Sequence, residues 1–216
     1  MRQRNNEGMI MGNLRTILAA FVLAAASGTA EAATEKAIVA GGCFWCVESD
    51  FEKVAGVLDV VSGYSGGSLK NPTYENHEGH YEAVEITFDN ARISYADLIA
   101  KFLRSVDVTD AGGQFCDRGS AYRTAIFAAN DAQRKAAESA VAEAEAALGE
   151  KVVTPVLPAG KFWKAEDYHQ DYYKGTNLVL TRAGLKKQSN AYKFYREACG
   201  RDARVKAVWG DQALKH

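Results

Sequence analysis

The sequence predicts an α/β (α+β) fold, and three features carry that expectation. Residues 80–88 (HYEAVEITF) alternate, with Glu82, Val84, Ile86 and Phe88 on one face and Tyr81, Glu85 and Thr87 on the other, as in a half-buried strand. Residues 130–149 run from an Asn cap through an alanine- and glutamate-rich stretch to a glycine stop, as in a long helix. Strand-like and helix-like segments then interleave along the chain, the element order of α/β and α+β domains.

Taken in order, residues 36–40 (KAIVA) read as a strand that Gly41-Gly42 breaks, and a helix is expected from about 43 to 54. Residues 57–64 read as a second strand, followed by a loop containing Gly63, Gly66, Gly67 and Asn71-Pro72. After the alternating strand, Ser94 and Asp97 form a capping-box pattern that opens a helix to about 106. A second glycine-rich loop spans 107–120, then come a strand at 123–129, the long helix and a strand at 152–157. Residues 162–173 look helical, a polar loop follows, and a last helix is expected at about 202–209.

The first 32 residues read differently. Arg2, Arg4 and Arg15 precede an apolar run at 17–26, and small residues end in Ala30-Glu31-Ala32. This is the order of an export signal peptide, cleaved after Ala32, with Met9 and Met11 as alternative starts. The alternative is an uncleaved anchor, for which the apolar run is short. Residues 33–216 are then expected to form a single catalytic domain, exported to a periplasmic or extracellular space and not inserted in a membrane after cleavage. The chain of 216 residues carries a net charge of −1, 47 % hydrophobic and 25 % charged residues, which suits a soluble globular protein and argues against a nucleic-acid partner.

Four cysteines are present: Cys43, Cys46, Cys116 and Cys199. In an exported protein the plain reading is two structural disulfides, in any of three connectivities. The C-x-x-C of Cys43 and Cys46 argues for chemistry instead. A strand, two glycines and a helix put Cys43 at a helix N-terminus, where free N–H groups lower a thiol pKa. Phe44 and Trp45 then read as an apolar wall beside a nucleophile, or simply as core. Cys43, Cys46, His77 and His80 also have zinc-ligand spacing, although the aromatics and glycine loops serve no purpose in a zinc site. A thioredoxin-like disulfide oxidoreductase explains the C-x-x-C but leaves the strand carboxyl Glu82 idle.

The motif blocks favour the chemical reading. Gly42-Cys43-Phe44-Trp45-Cys46-Val47-Glu48 resembles the signature of A-type peptide methionine sulfoxide reductases. So do Gly63-Tyr64-Ser65-Gly66-Gly67, Asn71-Pro72-Thr73-Tyr74, Gly79-His80-Tyr81-Glu82, Gly112-Gly113-Gln114, Asp117-Arg118-Gly119-Ser120-Ala121-Tyr122-Arg123 and Ala165-Glu166-Asp167-Tyr168-His169-Gln170. The blocks run in family order from about residue 36 to 175. The resemblance implies a two-layer ferredoxin-like plait with a mixed central sheet and a long irregular C-terminal segment.

The resemblance also implies the chemistry. Cys43 attacks the sulfur of methionine S-sulfoxide, free or in proteins, and Glu82 is the acid that protonates the oxygen. Tyr74 and Tyr122 donate hydroxyls to that oxygen, Asp117 orients the pocket, and Phe44 and Trp45 cage the substrate methyl. His80 and His169 take structural roles. The resulting sulfenic acid needs a resolving thiol, with Cys46, Cys199 and Cys116 as candidates in that order. Cys46 replaces a glycine found in many relatives, and many relatives use a C-terminal cysteine on a mobile tail. Electrons are expected from a thioredoxin-like dithiol, with no bound cofactor or metal and a monomeric chain. Three departures from the family pattern, a short 75–79 stretch, Val108 in place of proline and a long polar 174–190 segment, fall on the rim and spare Cys43 and Glu82.

Overall fold

Residues 33–215 are described by a computed structural model, and the expected leader with its cleavage point after Ala32 lies outside them. In chain order the elements are β1 (Thr34–Gly41), α1 (Phe44–Phe51), β2 (Val57–Ser65), β3 (Tyr81–Asp89), α2 (Tyr95–Leu103), the two-residue strands β4 (Gly113–Gln114) and β5 (Asp117–Arg118), β6 (Thr124–Ala128), α3 (Asp131–Leu148), β7 (Val156–Pro158), β8 (Trp163–Lys164), β9 (Leu178–Thr181), β10 (Gly184–Lys187), α4 (Gln188–Ala198) and α5 (Arg201–Trp209). Six strands form one mixed sheet in the order β7-β6-β1-β3-β2-β8, parallel only between β6 and β7.

Strand alternation divides the side chains between two faces of that sheet. Ala37 and Val39 of β1, Val84, Ile86 and Phe88 of β3 and Ile126 of β6 join Phe44, Val47 and Phe51 of α1 and the apolar faces of α2 and α3 in the main core. Ala40, Ala83, Ala125 and Phe127 face the other way and are covered by Leu157, Ala159 and Phe162. Burying each large side chain contributes about 1.5–3 kcal/mol, so the helical face dominates the driving force. Glu82 shares the parity of Val84 and Ile86, and therefore points toward the helices with only 2 % of its surface exposed.

Caps set the helix boundaries. The Ser94 hydroxyl accepts the Asp97 N–H, and the Asn130 side chain accepts the Gln133 N–H at 2.9 Å. Gly149 closes α3 in the left-handed region at φ 68°. The C-terminal α5 is clamped by Arg201, a fully buried guanidinium that donates to Gly41 O at 3.1 Å and Ser105 O at 3.0 Å. Arg201 thus holds the exit of β1, the point from which the Cys43 loop leaves.

Several expected elements differ. Residues 162–173 are not a helix but β8 followed by two single 3-10 turns. Tertiary partners take the backbone bonds that a helix needs: the Gln170 amide bonds both N–H and C=O of Ser62 at 3.0 Å, and Glu48 accepts the Asp171 N–H at 2.8 Å. The expected strand at 152–157 begins only at Val156, because the Val153 N–H goes to Val108 O. The polar 174–190 segment, expected as a loop, folds into the β9–β10 hairpin, and α4 follows where more irregular chain was expected. Helix α1 stops at Phe51 and α2 at Leu103, each about three residues early.

Gly42 makes the strand-to-helix turn possible. Its φ is 80°, and a Cβ there would sit 2.5 Å from the Gln114 Cβ. Gly42→Ala is therefore expected to destabilise the protein by about 2 kcal/mol or more, read as a lowered denaturant midpoint at unchanged m-value.

Candidate active site

The site forms where β1 ends, α1 begins and β3 passes beneath. Cys43 is the N-cap of α1, with its carbonyl accepting the first helical bonds from Cys46 N and Val47 N. From β3, the Glu82 carboxyl reaches the same point and accepts the Phe44 N–H on Oε2 at 3.1 Å. A cavity of about 370 Å³ opens above them. It is lined by every expected site residue: Cys43, Glu82, Tyr74, Tyr122, Asp117, Phe44 and Trp45, together with Cys46, Cys116 and Cys199. Residues as far apart in the chain as Cys43 and Arg201 thus meet at one cavity.

The electrostatics favour neutral acids. Burial pushes Glu82 up to about 8, against the opposing hydrogen bonds from Phe44 N–H and the Tyr122 hydroxyl. At pH 7 the carboxyl therefore holds a proton. Burial also raises Asp117, and Arg201 partly offsets it. Tyr74 is pushed up to about 12 by burial and by the Glu82 charge, and Tyr122 is raised for the same reasons, so both remain hydroxyl donors.

Cys43 corrects the sequence reading. Its thiol pKa lies above the usual value, not below it. The hydrogen bond it shares with Cys46, its burial and the charges of Cys46, Glu82 and Asp117 all hold its proton on. Cys46 is lowered instead, by the hydrogen bond from Cys43 and by the nearby cations Arg201 and Arg196. The α1 N-terminus stabilises an anion at this point, but the hydrogen bond with Cys46 and burial outweigh it at Cys43. Of the two thiols, Cys46 therefore gives up its proton more readily and Cys43 holds its proton more firmly.

The aromatic wall is fixed by the 166–172 segment. The Trp45 ring stacks on Tyr172 at 3.8 Å and 5°, and its indole N–H donates to His169 Nδ1 at 3.1 Å. His169 is buried and lowered to about 4, so it stays neutral and accepts that bond. Glu166 holds Tyr74 in place by accepting its backbone N–H at 2.9 Å, and accepts the Tyr64 hydroxyl as well. His80 serves the first glycine-rich loop, accepting Gly67 N–H on Nδ1 and bonding Leu69 O through Nε2. His77 bonds Thr73 O, and neither histidine joins Cys43 and Cys46 in a ligand group among the described residues.

Cys116 and Cys199 are bonded to each other across 83 residues, at the cavity rim. Cys43 and Cys46 are free thiols. Two candidate resolving cysteines are therefore already partners, and Cys199 sits at the end of α4, not on an irregular tail.

Three contributors escaped the sequence reading. Glu48 lies in the first motif block but was given no role; it is buried, accepts the Ser62 hydroxyl at 2.8 Å, and ties α1 to β2 and Asp171. Arg196 and Arg201 flank Cys46 and meet Asp50 of α1, at 2.7 Å and 3.6 Å. Their partners lie about 150 residues away, so no local signal marks them; the nearest hint is a buried-type Asp at the end of a short apolar helix.

Known proteins are similar to this chain. The profile described as peptide methionine sulfoxide reductase matches residues 35–212. Peptide methionine sulfoxide reductase MsrA 2 of Rhizobium meliloti (strain 1021) is 51 % identical over 82 % of this chain and 84 % of its own length. The protein of the same description from Caulobacter vibrioides is 48 % identical over 90 % of this chain and 97 % of its own. Among solved structures, reduced Mxr1 from Saccharomyces cerevisiae superposes with a TM-score of 0.62 at 27 % identity, covering 65 % of this chain and 84 % of that one. Methionine sulfoxide reductase A of Corynebacterium diphtheriae gives 0.59 at 28 % identity, covering 73 % and 85 %. The chain belongs to the A-type peptide methionine sulfoxide reductase family, oxidoreductases that act on methionine sulfoxide by thiol chemistry.

Proposed function

We propose that Cys43 takes the oxygen from methionine S-sulfoxide, that Glu82 supplies the proton, and that Cys46 resolves the product. The observation that carries this reading is a carboxyl held near pKa 8 in contact with the first N–H after the nucleophile. The substrate's methyl fits against Phe44 and Trp45, and its oxygen lies toward Glu82, Tyr74 and Tyr122. Asp117 closes the opposite wall.

In the first step Cys46, the more acidic thiol, ionises and takes up the Cys43 proton, leaving a Cys43 thiolate beside a protonated Glu82. The thiolate attacks the sulfoxide sulfur, the S–O bond breaks, and Glu82 delivers its proton to the oxygen. Methionine leaves, Cys43 carries S–OH, and the negative charge now rests on Glu82. The Cys46 thiol then attacks the sulfenic sulfur, a disulfide forms, and water departs. Two electrons from a thioredoxin-like dithiol reduce that disulfide and restore the pair. Placing the donor proton in a desolvated site raises the rate by about 10²–10⁴-fold in such general acid steps.

Cys116–Cys199 acts in this reading as a rim staple. Closing a loop of this length contributes about 4 kcal/mol. A persistent disulfide at an accessible position suits an oxidising compartment. Together with the charged, apolar and A-x-A order of residues 1–32, it supports export, with a monomeric mature chain starting at Ala33. The mass of the secreted protein tests export: a start at Ala33 is expected, and an intact 1–32 segment contradicts it.

Turnover with a dithiol reductant tests the chemistry. Reduction of the S epimer alone is expected, with Cys43→Ser inactive and Glu82→Gln slowed about 100-fold or more at the sulfoxide step. Glu82 acts protonated and its pKa is about 8, so the wild-type rate is expected to fall as pH rises through about 8. In Glu82→Gln that limb is absent. One turnover without reductant is expected to yield a Cys43–Cys46 bridge with Cys116–Cys199 unchanged. Activity retained in Cys43→Ser, or a Cys43–Cys199 bridge, contradicts the assignment.

A further inference from the structure

Three arginines line the cavity, and they are not equivalent. Arg201 and Arg196 are committed inside the protein, both to Asp50 and Arg196 also to Asp202 at 2.6 Å. Arg182 stands apart at the tip of the β9–β10 hairpin. It is exposed to solvent and lies over the face of Tyr195, 6.0 Å from the ring centre. Among the described residues no carboxylate is paired with it.

The turn is built to hold that cation at the cavity mouth. Thr181, buried at the end of β9, accepts the Ala183 N–H at 3.1 Å and donates its hydroxyl to Gly184 O at 2.6 Å. Those two bonds bracket Arg182. Below the tip, Val179 packs with Cys46, Tyr172 and Tyr192, so the hairpin is anchored to the same cluster that floors the site. The acids facing the cavity do not answer the charge, because burial favours the neutral forms of Glu82 and Asp117. A cation without a carboxylate partner at the mouth of a substrate cavity is suited to an anion carried by the substrate.

We propose that Arg182 binds a carboxylate of the substrate, and that this chain prefers methionine sulfoxide with a negative charge beside the reacting side chain. The inference rests on the sulfoxide reductase reading above. The sulfoxide group itself is uncharged, so the charge comes from one of two sources. One is the α-carboxylate of free or C-terminal methionine sulfoxide. The other is an acidic side chain next to an internal one.

Two substrate pairs separate these sources. The first is N-acetylmethionine S-sulfoxide against its methylamide. The second is a peptide with an internal methionine S-sulfoxide flanked by glutamate, against the same peptide with glutamine. The wild type is expected to favour the anionic member of at least one pair about tenfold in kcat/KM, the difference lying in KM and shrinking in high salt. In Arg182→Ala the ratio is expected to fall to about one, and Arg182→Lys restores part of it. A preference in the first pair assigns the α-carboxylate, and one in the second assigns the side chain. A wild-type ratio near one in both pairs, or a ratio that survives in Arg182→Ala, overturns the proposal. No turnover of any of the four substrates by the wild type overturns the reductase reading itself, and the proposal falls with it.

Discussion

One contact organises this protein: the carboxyl of Glu82, taken out of water on the helical face of β3, meets the first N–H of α1 beside Cys43. Desolvation favours the neutral acid, while the N–H and the Tyr122 hydroxyl favour the carboxylate. Desolvation wins, and the result is an acid poised near neutral pH. A solvated glutamate titrates at about 4.3 and holds almost no proton at pH 7. The surrounding architecture serves this placement. Strand parity aims Glu82 at the helices, Gly41 and Gly42 let β1 turn tightly into α1, and Arg201 clamps the turn from behind.

At the same point, Cys43 is not an ordinary helix-capping thiolate. The helix start attracts negative charge, yet the hydrogen bond with Cys46 and burial hold the proton on Cys43. Cys46 relieves the conflict. It lies three residues on, hydrogen-bonded to Cys43 and within reach of the cations Arg201 and Arg196, which lower its pKa. Once ionised, it can take the Cys43 proton. A second thiol in the first turn of α1 thus does two jobs, accepting that proton before the oxygen transfer and closing the disulfide after it. A glycine at that position can do neither.

Much of this was legible in the sequence because it is encoded locally. The period-two pattern of 80–88 places Glu82 on the core face without knowledge of the fold, and Ser94, Asn130 and Gly149 act as helix signals where the sequence suggests. What was not legible depends on distant partners. The Cys116–Cys199 pairing spans 83 residues, and sequence spacing leaves three connectivities open. Residues 162–173 have helical character, but Ser62 and Glu48 take their backbone groups. The direction of the Cys43 shift depends on the hydrogen bond with Cys46 and on burial by elements distant in the chain. Hairpin β9–β10 is short, four residues a side, and its leucines Leu178, Leu180 and Leu185 point outward while Val179 alone packs on the site cluster, so no apolar face of strand length marks it.

The central claim is that Glu82 is protonated at neutral pH because the fold desolvates it. The direct measurement is a carbon-13 NMR titration of the Glu82 side-chain carboxyl in the protein with Cys43 and Cys46 reduced, assigned by comparison with Glu82→Gln. A midpoint near pH 8 is expected, with the carboxyl still protonated at pH 7. A midpoint between 4 and 5, the range of a solvated glutamate, contradicts it.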